Sequence, residues 1–282
     1  MKRFWFCVWA VVLSGLSLPA MAASFRDGAL AYNEGDYPTA LQEFTTLADE
    51  GHVEAQFYLG TMFEQGLGVP LNLGSAATWY RKAADNGKSE AMLKLGEFHQ
   101  TGEGAALDPV SAFGWFQRAA SQGEPNAQYK LGLAYQDGVG VAAHEKTAKM
   151  WFERAAQGDV TDAQFTLGNL LFELSFPPKD NTEAYMWMSL AAGQGHKEAR
   201  KRLNFFRIFM FSREITIGEE MALAWRAQFN ARNAPEPKAE PQSASSPAPP
   251  RLPSGPAANP RGGPPKTQAP KRSNTQTIDL PF

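Results

Sequence analysis

The side chains best suited to chemistry are spread along this chain rather than clustered. Four histidines, His52, His99, His144 and His196, are separated widely, and no two of them have the spacing of metal ligands. The single cysteine, Cys7, has no partner for a disulfide or a cysteine metal site. Motifs typical of hydrolases, phosphate loops and dinucleotide folds are missing. We therefore expect no catalytic residue, no cofactor and no metal, and predict a protein that is not an enzyme.

Carboxylates recur instead at a fixed step. Glu54 and Glu90 are 36 residues apart, Asp162 keeps the same phase, and Asn126 takes the remaining place. A second set of polar residues repeats further along: Glu64, Gln100, Gln136 and Asp137. One interpretation is an ordinary solvated surface, with acids favoured at helix starts by the helix dipole. The alternative is an acidic stripe that runs across successive units and holds a partner.

The same 36-residue period runs through the apolar residues. Leucine followed by glycine occurs at Leu59, Leu95, Leu131 and Leu167, and tryptophan occurs at Trp79, Trp115, Trp151 and Trp187. A period of this length is typical of a solenoid, because one unit cannot bury its apolar face without stacking on its neighbours. A solenoid offers a surface rather than a pocket. The period therefore favours a binding protein.

Each unit is predicted to contain two helices joined by a glycine turn. Ala55, Leu59 and Phe63 form one apolar stripe of the first helix, and Gly66 and Gly68 form the turn. The second helices are expected to begin after Asn72, Asp108, His144 and Asp180, and to end at Gly87, Gly123, Gly158 and Gly195. The four tryptophans lie on the apolar stripe, so we expect them in the core, although exposed tryptophans would suit a sugar.

Three motifs at this spacing resemble a known repeat. Ala127 to Gly132, the turn Asp137 to Val141 and the closing Trp151 to Ala156 are similar to the Sel-one-like repeat, a relative of the tetratricopeptide repeat. The resemblance covers residues 51–194 as four units. Residues 23–50 resemble a tetratricopeptide helix pair, and residues 195–230 are predicted to form capping helices. The resemblance implies an all-α, right-handed α/α superhelix.

The resemblance also implies how such a protein works. Tetratricopeptide-type grooves hold partner segments on the first helices, which is where Glu54, Glu90, Asn126 and Asp162 are expected. We predict a non-catalytic scaffold or adaptor that binds a protein partner through the groove or the C-terminal cap. A cell-wall protein that binds peptidoglycan or polysaccharide is the alternative.

The N-terminal residues have the pattern of a secretory signal. Lys2 and Arg3 precede an apolar run that ends near Leu18, and Ala20-Met21-Ala22 fits a cleavage site. We expect residues 1–22 to be removed after Ala22, which gives a periplasmic or secreted protein with no transmembrane span in the mature chain. Retention of this segment as an anchor is the alternative.

Residues 231–282 form a proline-rich tail. They hold 13 of the 20 prolines, a composition that predicts disorder. Residues 23–230 carry 18 basic and 26 acidic side chains, a net charge of −8, whereas the tail carries +4. An acidic body argues against nucleic acid as a partner, because phosphates need a basic face.

A bulky apolar run follows Leu203. Phe205, Phe206, Ile208, Phe209, Met210 and Phe211 cannot all face one side of a helix with a period of 3.6 residues. Some of them, with Phe209 and Phe211 as the candidates, are expected to emerge as a surface for a partner or for self-association. The alternative is a thick cap in which Trp225 and Phe229 cover the run.

Overall fold

The computed structural model describes residues 24–174 and 181–234, with the backbone alone at Leu174. The signal segment, the tail from residue 235 and the expected helix cap Asp180 therefore lie outside the described residues. Within them the chain forms helices and no strand. The twelve helices in these two ranges are α1 (Phe25–Glu34), α2 (Tyr37–Asp49), α3 (Val53–Gln65), α4 (Leu73–Asp85), α5 (Ser89–Thr101), α6 (Pro109–Ser121), α7 (Pro125–Asp137), α8 (Glu145–Gln157), α9 (Thr161–Leu174), α10 (Thr182–Gly193), α11 (Lys197–Phe209) and α12 (Ser212–Arg232).

The two helices of a unit meet where a ring lies on a glycine. A Cβ atom on Gly60 would lie 2.5 Å from the Tyr80 ring, and one on Gly132 would lie 2.5 Å from the Phe152 ring. Gly96 is related to Phe116 in the same way. Any larger residue would push these helices apart. The close packing therefore offsets the cost of about 1 kcal/mol that glycine has in a helix relative to alanine. The glycine that follows each leucine of the period therefore lets the two helices of a unit approach closely.

The N-terminal helix pair and the fourth unit vary this contact. Gly28 in α1 lies against the Phe44 ring of α2. In the fourth unit Gly168 faces Met188 and the carbonyl oxygen of Ala184, each 3.1 Å from a Cβ placed there. A flexible thioether thus replaces the ring, and the backbone of α10 comes within 3.2 Å of the same Cβ position at Met188 N.

The leucine and alanine stripes are buried as the period predicts. Leu59, Leu95, Leu131 and Leu167 are at most 2 % exposed. The prediction that all four tryptophans lie in the core is wrong for two of them. Trp115 and Trp187 are buried, but Trp79 and Trp151 are half-buried. The next residue along each second helix fills the core, as Tyr80 and Phe152 show.

Cations cover the tryptophans of the first three units. The Lys82 ammonium lies 3.7 Å from the Trp79 ring centre, and the Arg154 guanidinium lies 4.6 Å from that of Trp151. Trp115 has Arg118 at 4.3 Å and Arg81 at 4.5 Å. Each cation three residues after its tryptophan is a neighbour on the same helix surface. These tryptophans therefore join the core to a charged outer layer.

The turns and caps follow the glycine pattern with one exception. Gly66 and Gly68 have φ values of 72° and 70°, in the left-handed region that favours glycine. Asn72, Asp108 and His144 cap the second helices as expected, and Asn181 is the N-cap residue of α10. Gly158 does not have the expected terminating conformation, because the positive φ of 66° falls on Asp159. The backbone keeps its register, and a non-glycine residue adopts the left-handed conformation.

Asp159 holds the C-terminal helix in place. Its carboxylate accepts hydrogen bonds from the side-chain amides of Gln164 at 2.9 Å and Gln194 at 2.8 Å, and it pairs with Arg226 of α12. The Trp225 ring of α12 contacts Trp187 edge-on at 5.7 Å. These contacts dock α12 on α10.

Candidate interaction surface

The predicted site residues other than Phe211 lie on the first helices of the units and on the equivalent helix α11. Together these helices form what we call the A-helix surface (the solvent-facing residues of α3, α5, α7, α9 and α11). Glu54 of α3 and Glu90 of α5 are brought together by Lys88, whose ammonium lies 2.9 Å from Glu54 and 3.2 Å from Glu90. Burial alone would lower the pKa of Lys88, but hydrogen bonds to the two carboxylates outweigh it and raise the pKa. Lys88 therefore stays charged and neutralises part of the expected acidic stripe.

Glu64 is also paired. It lies 3.0 Å from the Lys94 ammonium and accepts a hydrogen bond from the Tyr80 hydroxyl. Burial, followed by this hydrogen bond to a carboxylate, raises the pKa of Tyr80 well above the ordinary tyrosine value. Glu64 thus links the core ring of the first unit to a cation of the second unit.

The later members of the stripe differ from the first two. Asn126 donates a hydrogen bond of 3.3 Å to Glu124, and Asp162 lies 3.5 Å from the His196 ring. Gln136 is exposed on α7. These residues form a row of separate polar sites, and Glu54 and Asp162 contact the residue that precedes the next first helix, Lys88 or His196.

Gln100 and Asp137 come together at a small cleft between α5 and α7. The cleft has a volume of about 110 Å³, and Lys130, Phe113 and Leu133 also line it. Lys130 is equivalent in the repeat to Lys94, the partner of Glu64. The cleft combines an apolar floor with one amide and two charged groups, and its size suits a single side chain.

A larger groove lies between α9 and α11, and sequence reasoning missed it. Its volume is about 430 Å³, and its lining residues are Phe165, Asn169, Glu173, Glu198, Lys201, Arg202 and Phe205. Two polar atoms of this lining, Asn169 Oδ1 and Arg202 Nε, are buried without a hydrogen-bond partner. The available signal was Asn169 itself, since the equivalent residues in the other units are Thr61, Glu97 and Leu133.

The apolar run after Leu203 divides as expected. Phe206 and Met210 are buried, and Phe206 stacks on Phe172 with ring centres 4.0 Å apart. Phe211 is 77 % exposed and Ile208 is 76 % exposed, whereas Phe209 is 40 % exposed. The alternative in which the cap covers the whole run is therefore wrong for Ile208 and Phe211.

The histidines serve the helix ends. His52 and His144 accept hydrogen bonds at the starts of α3 and α8, and the His99 ring lies 3.0 Å from the carbonyl oxygen of Ala106. No group of three His, Cys, Asp or Glu side chains within residues 24–174 and 181–234 is arranged to hold a metal ion. In the same residues, no helix has the length and apolar character needed to cross a membrane.

Comparison with known proteins agrees with this geometry. A family model for the Sel1 repeat matches residues 53–88, 89–124, 125–160 and 161–196, just over half of the chain. The crystal structure of a Sel1 repeat protein from Oxalobacter formigenes is similar, with 30 % identity, a TM-score of 0.60 and coverage of 74 % of this chain and 84 % of that chain.

A second similar structure is a protective antigen present in uropathogenic Escherichia coli strains, which displays an SLR fold. It shares 24 % identity at a TM-score of 0.59, and the match covers 72 % of this chain and 44 % of that chain. No curated protein matches this chain. The four family-model matches, in a solenoid whose units all follow the repeat, show that the chain belongs to the Sel1 repeat family.

Proposed function

We propose that this protein is a non-catalytic scaffold that is exported to the cell envelope and binds a protein partner through its A-helix surface. Sel1 repeat proteins mediate protein–protein interactions. The observation that carries the proposal is the row of polar and charged sites on successive first helices, from the Glu54–Lys88–Glu90 bridge to Asp162. Such a row gives a partner several separate contacts, which is how a repeat surface obtains specificity.

The proposed contact residues differ in how available they are. Gln136 and Asp137 are exposed, whereas Glu64 already has two partners within the protein. The full proposed set is Glu54, Glu64, Glu90, Gln100, Asn126, Gln136, Asp137, Asp162, Phe209 and Phe211. The carboxylates of Glu54, Glu64 and Glu90 are held in fixed positions by lysines. Exposed amides such as that of Gln136 are free to form hydrogen bonds with a partner.

Export is proposed from the N-terminal pattern. Lys2, Arg3, the apolar run and the Ala20-Met21-Ala22 triplet support cleavage after Ala22. Mass spectrometry of protein from the periplasmic fraction and the medium tests this step. A chain that begins at Ala23 is expected. Recovery of the intact precursor from cytosol would contradict export, and an intact precursor in the membrane fraction would indicate a retained anchor.

Site-specific photo-crosslinking tests the binding surface. A photoreactive residue at Gln136 of α7 is expected to give crosslinks of discrete protein mass in living cells. The same residue at Lys146, exposed on the second helix α8, is the matched control and is expected to give none. Equal crosslinking at both positions would contradict the A-helix surface as the binding site.

The glycan-binding alternative has less support. A sugar would stack on exposed tryptophan faces, but Lys82, Arg118 and Arg154 already lie over the rings of the first three units. Sedimentation with purified peptidoglycan tests this alternative directly. Retention of the protein on peptidoglycan, together with no protein crosslink from Gln136, would favour the glycan role.

The exposed end of the run after Leu203 supports a second proposed surface. Ile208 and Phe211 project into solvent next to the buried Phe206 and Met210. Exposed apolar residues of this size are common at interfaces. We expect Ile208→Ser with Phe211→Ser to keep the melting temperature and to lose either a partner or a dimer, as measured by sedimentation velocity. A loss of stability with unchanged association would contradict this role.

A further inference from the structure

The groove between α9 and α11 differs from the rest of the A-helix surface because it contains unused hydrogen-bonding atoms. Asn169 Oδ1 is an acceptor and Arg202 Nε is a donor, and both are buried without a partner. Buried polar atoms are normally satisfied, so two orphans in one groove need a physical explanation. A bound group that supplies one donor and one acceptor would satisfy both atoms.

A peptide group has this pair of functions. Each residue other than proline offers one N–H donor and one carbonyl acceptor on its main chain. The N–H would donate to Asn169 Oδ1, and the carbonyl oxygen would accept from Arg202 Nε. The two residues belong to neighbouring first helices, so the peptide would lie across α9 and α11 in an extended form with its own main chain unpaired.

The walls of the groove indicate which side chain the peptide carries. Phe165 and Phe205 line it, and both rings are held in place. His196 stacks on Phe165 at 4.3 Å, and the Arg202 guanidinium lies 5.3 Å from the centre of the Phe205 ring. Two fixed aromatic walls favour an apolar side chain, since burying it removes apolar surface from water.

The charges in the groove cancel. Lys201 lies 2.8 Å from Glu198, and Arg202 lies 3.6 Å from Glu173. Two cations and two carboxylates leave no net charge. A strongly acidic or basic segment would therefore lose its water without gaining an opposite charge, so the groove fits an uncharged segment.

We propose that the α9–α11 groove binds an extended, uncharged peptide segment of a partner protein, with an aliphatic or aromatic side chain between Phe165 and Phe205 and its peptide group held by Asn169 and Arg202. This inference rests on the proposed scaffold function and deepens it, because it names the subsite and the chemistry of the segment bound there. In this proposal the groove recognises mainly the main chain of the bound peptide, and the apolar side chain of the peptide determines which sequences bind.

A library of synthetic octapeptides, screened against the chain from Ala23 to Phe282, tests the chemistry. The peptides recovered are expected to be uncharged in their central residues and to hold one aliphatic or aromatic residue there. Methylation of the amide nitrogen at that residue removes the donor for Asn169 and is expected to weaken binding at least tenfold by fluorescence polarisation. Methylation two residues away is the matched control, with little change expected.

Two substitutions use residues that other units already carry at these places. Asn169→Leu introduces leucine, which the third unit has at the equivalent Leu133. Arg202→Lys introduces lysine, which the second and third units have at Lys94 and Lys130. Each is expected to weaken peptide binding at least tenfold. Asn169→Leu is also expected to keep or raise the melting temperature, because it removes an orphaned polar atom. A purely structural role for Asn169 would lower stability and leave affinity unchanged.

The failures are distinguishable. Gln136→Ala changes the A-helix surface outside the groove and is expected to leave peptide affinity unchanged. Equal affinity for Asn169→Leu, recovery of charged peptides, or no recovered peptide would each overturn the groove inference. The scaffold proposal is tested separately by crosslinking at Gln136, and it would survive those results.

Discussion

The first three Sel1 units and the fourth unit with its cap solve the same packing problem in different ways. In the first three, an aromatic ring lies on a glycine, and a cation covers the tryptophan. In the fourth, Met188 replaces the ring, and Trp187 is covered by Trp225 instead.

The two regions also differ in whether their buried polar side-chain atoms have hydrogen-bond partners. Among residues 24–174 and 181–234, the buried side-chain atoms without a hydrogen-bond partner belong to Asn169, Asn181 and Arg202, all in the fourth unit or after it. The regular units are optimised for stacking, whereas the C-terminal region keeps unused polar atoms. Departures from local consistency of this kind are expected at functional sites.

The largest expected loss of stability distinguishes two adjacent residues of the third unit, Trp151 and Phe152. Phe152→Ala should lower the free energy of unfolding by about 4 kcal/mol, because it removes a fully buried ring from its glycine partner. Trp151→Ala should cost about 2 kcal/mol, since that ring is half-buried. Urea unfolding measures both. Equal losses would show that Trp151 contributes as much to the core as Phe152, which would contradict the assignment of the core position to the residue after the tryptophan.

The ring–glycine contact itself is tested by adding one methyl group. Gly96→Ala should cost about 3 kcal/mol, because the new Cβ overlaps the Phe116 ring. Gly168→Ala should cost about 2 kcal/mol, since the overlap is smaller but the new Cβ would press on the carbonyl oxygen of Ala184 and the amide nitrogen of Met188. Gly114→Ala is the control, because no atom lies within 4 Å of its Cβ position, and it should raise stability by up to about 1 kcal/mol. A loss at Gly168 as large as that at Gly96 would contradict the smaller overlap at Gly168.

Asp159 tests the link between the third unit and the cap. Asp159→Ala should cost about 2 kcal/mol, because alanine is strained at a φ of 66° and the contacts to Gln194 and Arg226 are lost. Asp159→Gly loses the same contacts without the strain and should cost about 1 kcal/mol. Thermal unfolding compares the two. If both variants were equally destabilised, strain at this residue would be negligible.

The smallest effect concerns Tyr80, which stands where the next two units have phenylalanine. Tyr80→Phe should cost about 1 kcal/mol at neutral pH through loss of the hydrogen bond to Glu64. The pKa of Tyr80 is raised in the folded protein, so its stabilising effect is complete below the ordinary tyrosine pKa of 10.0 and is lost as the pH rises above it.

The dependence of stability on pH provides a second test of Tyr80→Phe. Tyr80→Phe should show a smaller loss of stability above pH 10 than the parent protein, as followed by urea unfolding across that range. The pKa values of Tyr129 and Tyr185 are also raised, first by burial, so part of the alkaline loss should remain. Identical alkaline profiles for variant and parent would contradict the role of Tyr80.

The sequence predicted the helices well because their determinants are local and repeated. Leu59, Gly60 and Gly66 recur at one step, and each has one physical role that the spacing reveals. The period does not decide between Trp79 and Tyr80, since neighbouring residues of a helix are about 100° apart and both border the apolar stripe. The structure decides it, because the ring opposite Gly60 belongs to Tyr80.

The surface was less predictable because its contacts join distant residues. The carboxylates at Glu54 and Glu90 were visible in the sequence, but their neutralisation by Lys88 depends on how one unit sits on the next. Asp159 was missed for a related reason, since Gly158 is beside it and glycine is the commoner residue at a positive φ. Sequence spacing alone does not show which of two adjacent residues takes the strained conformation.

The ring–glycine contact has a consequence for how this family can evolve. Because Gly96 and Phe116 belong to the same unit, each 36-residue unit carries its own helix–helix contact. Duplication or loss of one whole unit by unequal recombination would leave every remaining ring with its glycine. A deletion that removes only one of the two helices would leave a ring without its glycine. Solenoid length can therefore change in whole units without loss of this contact.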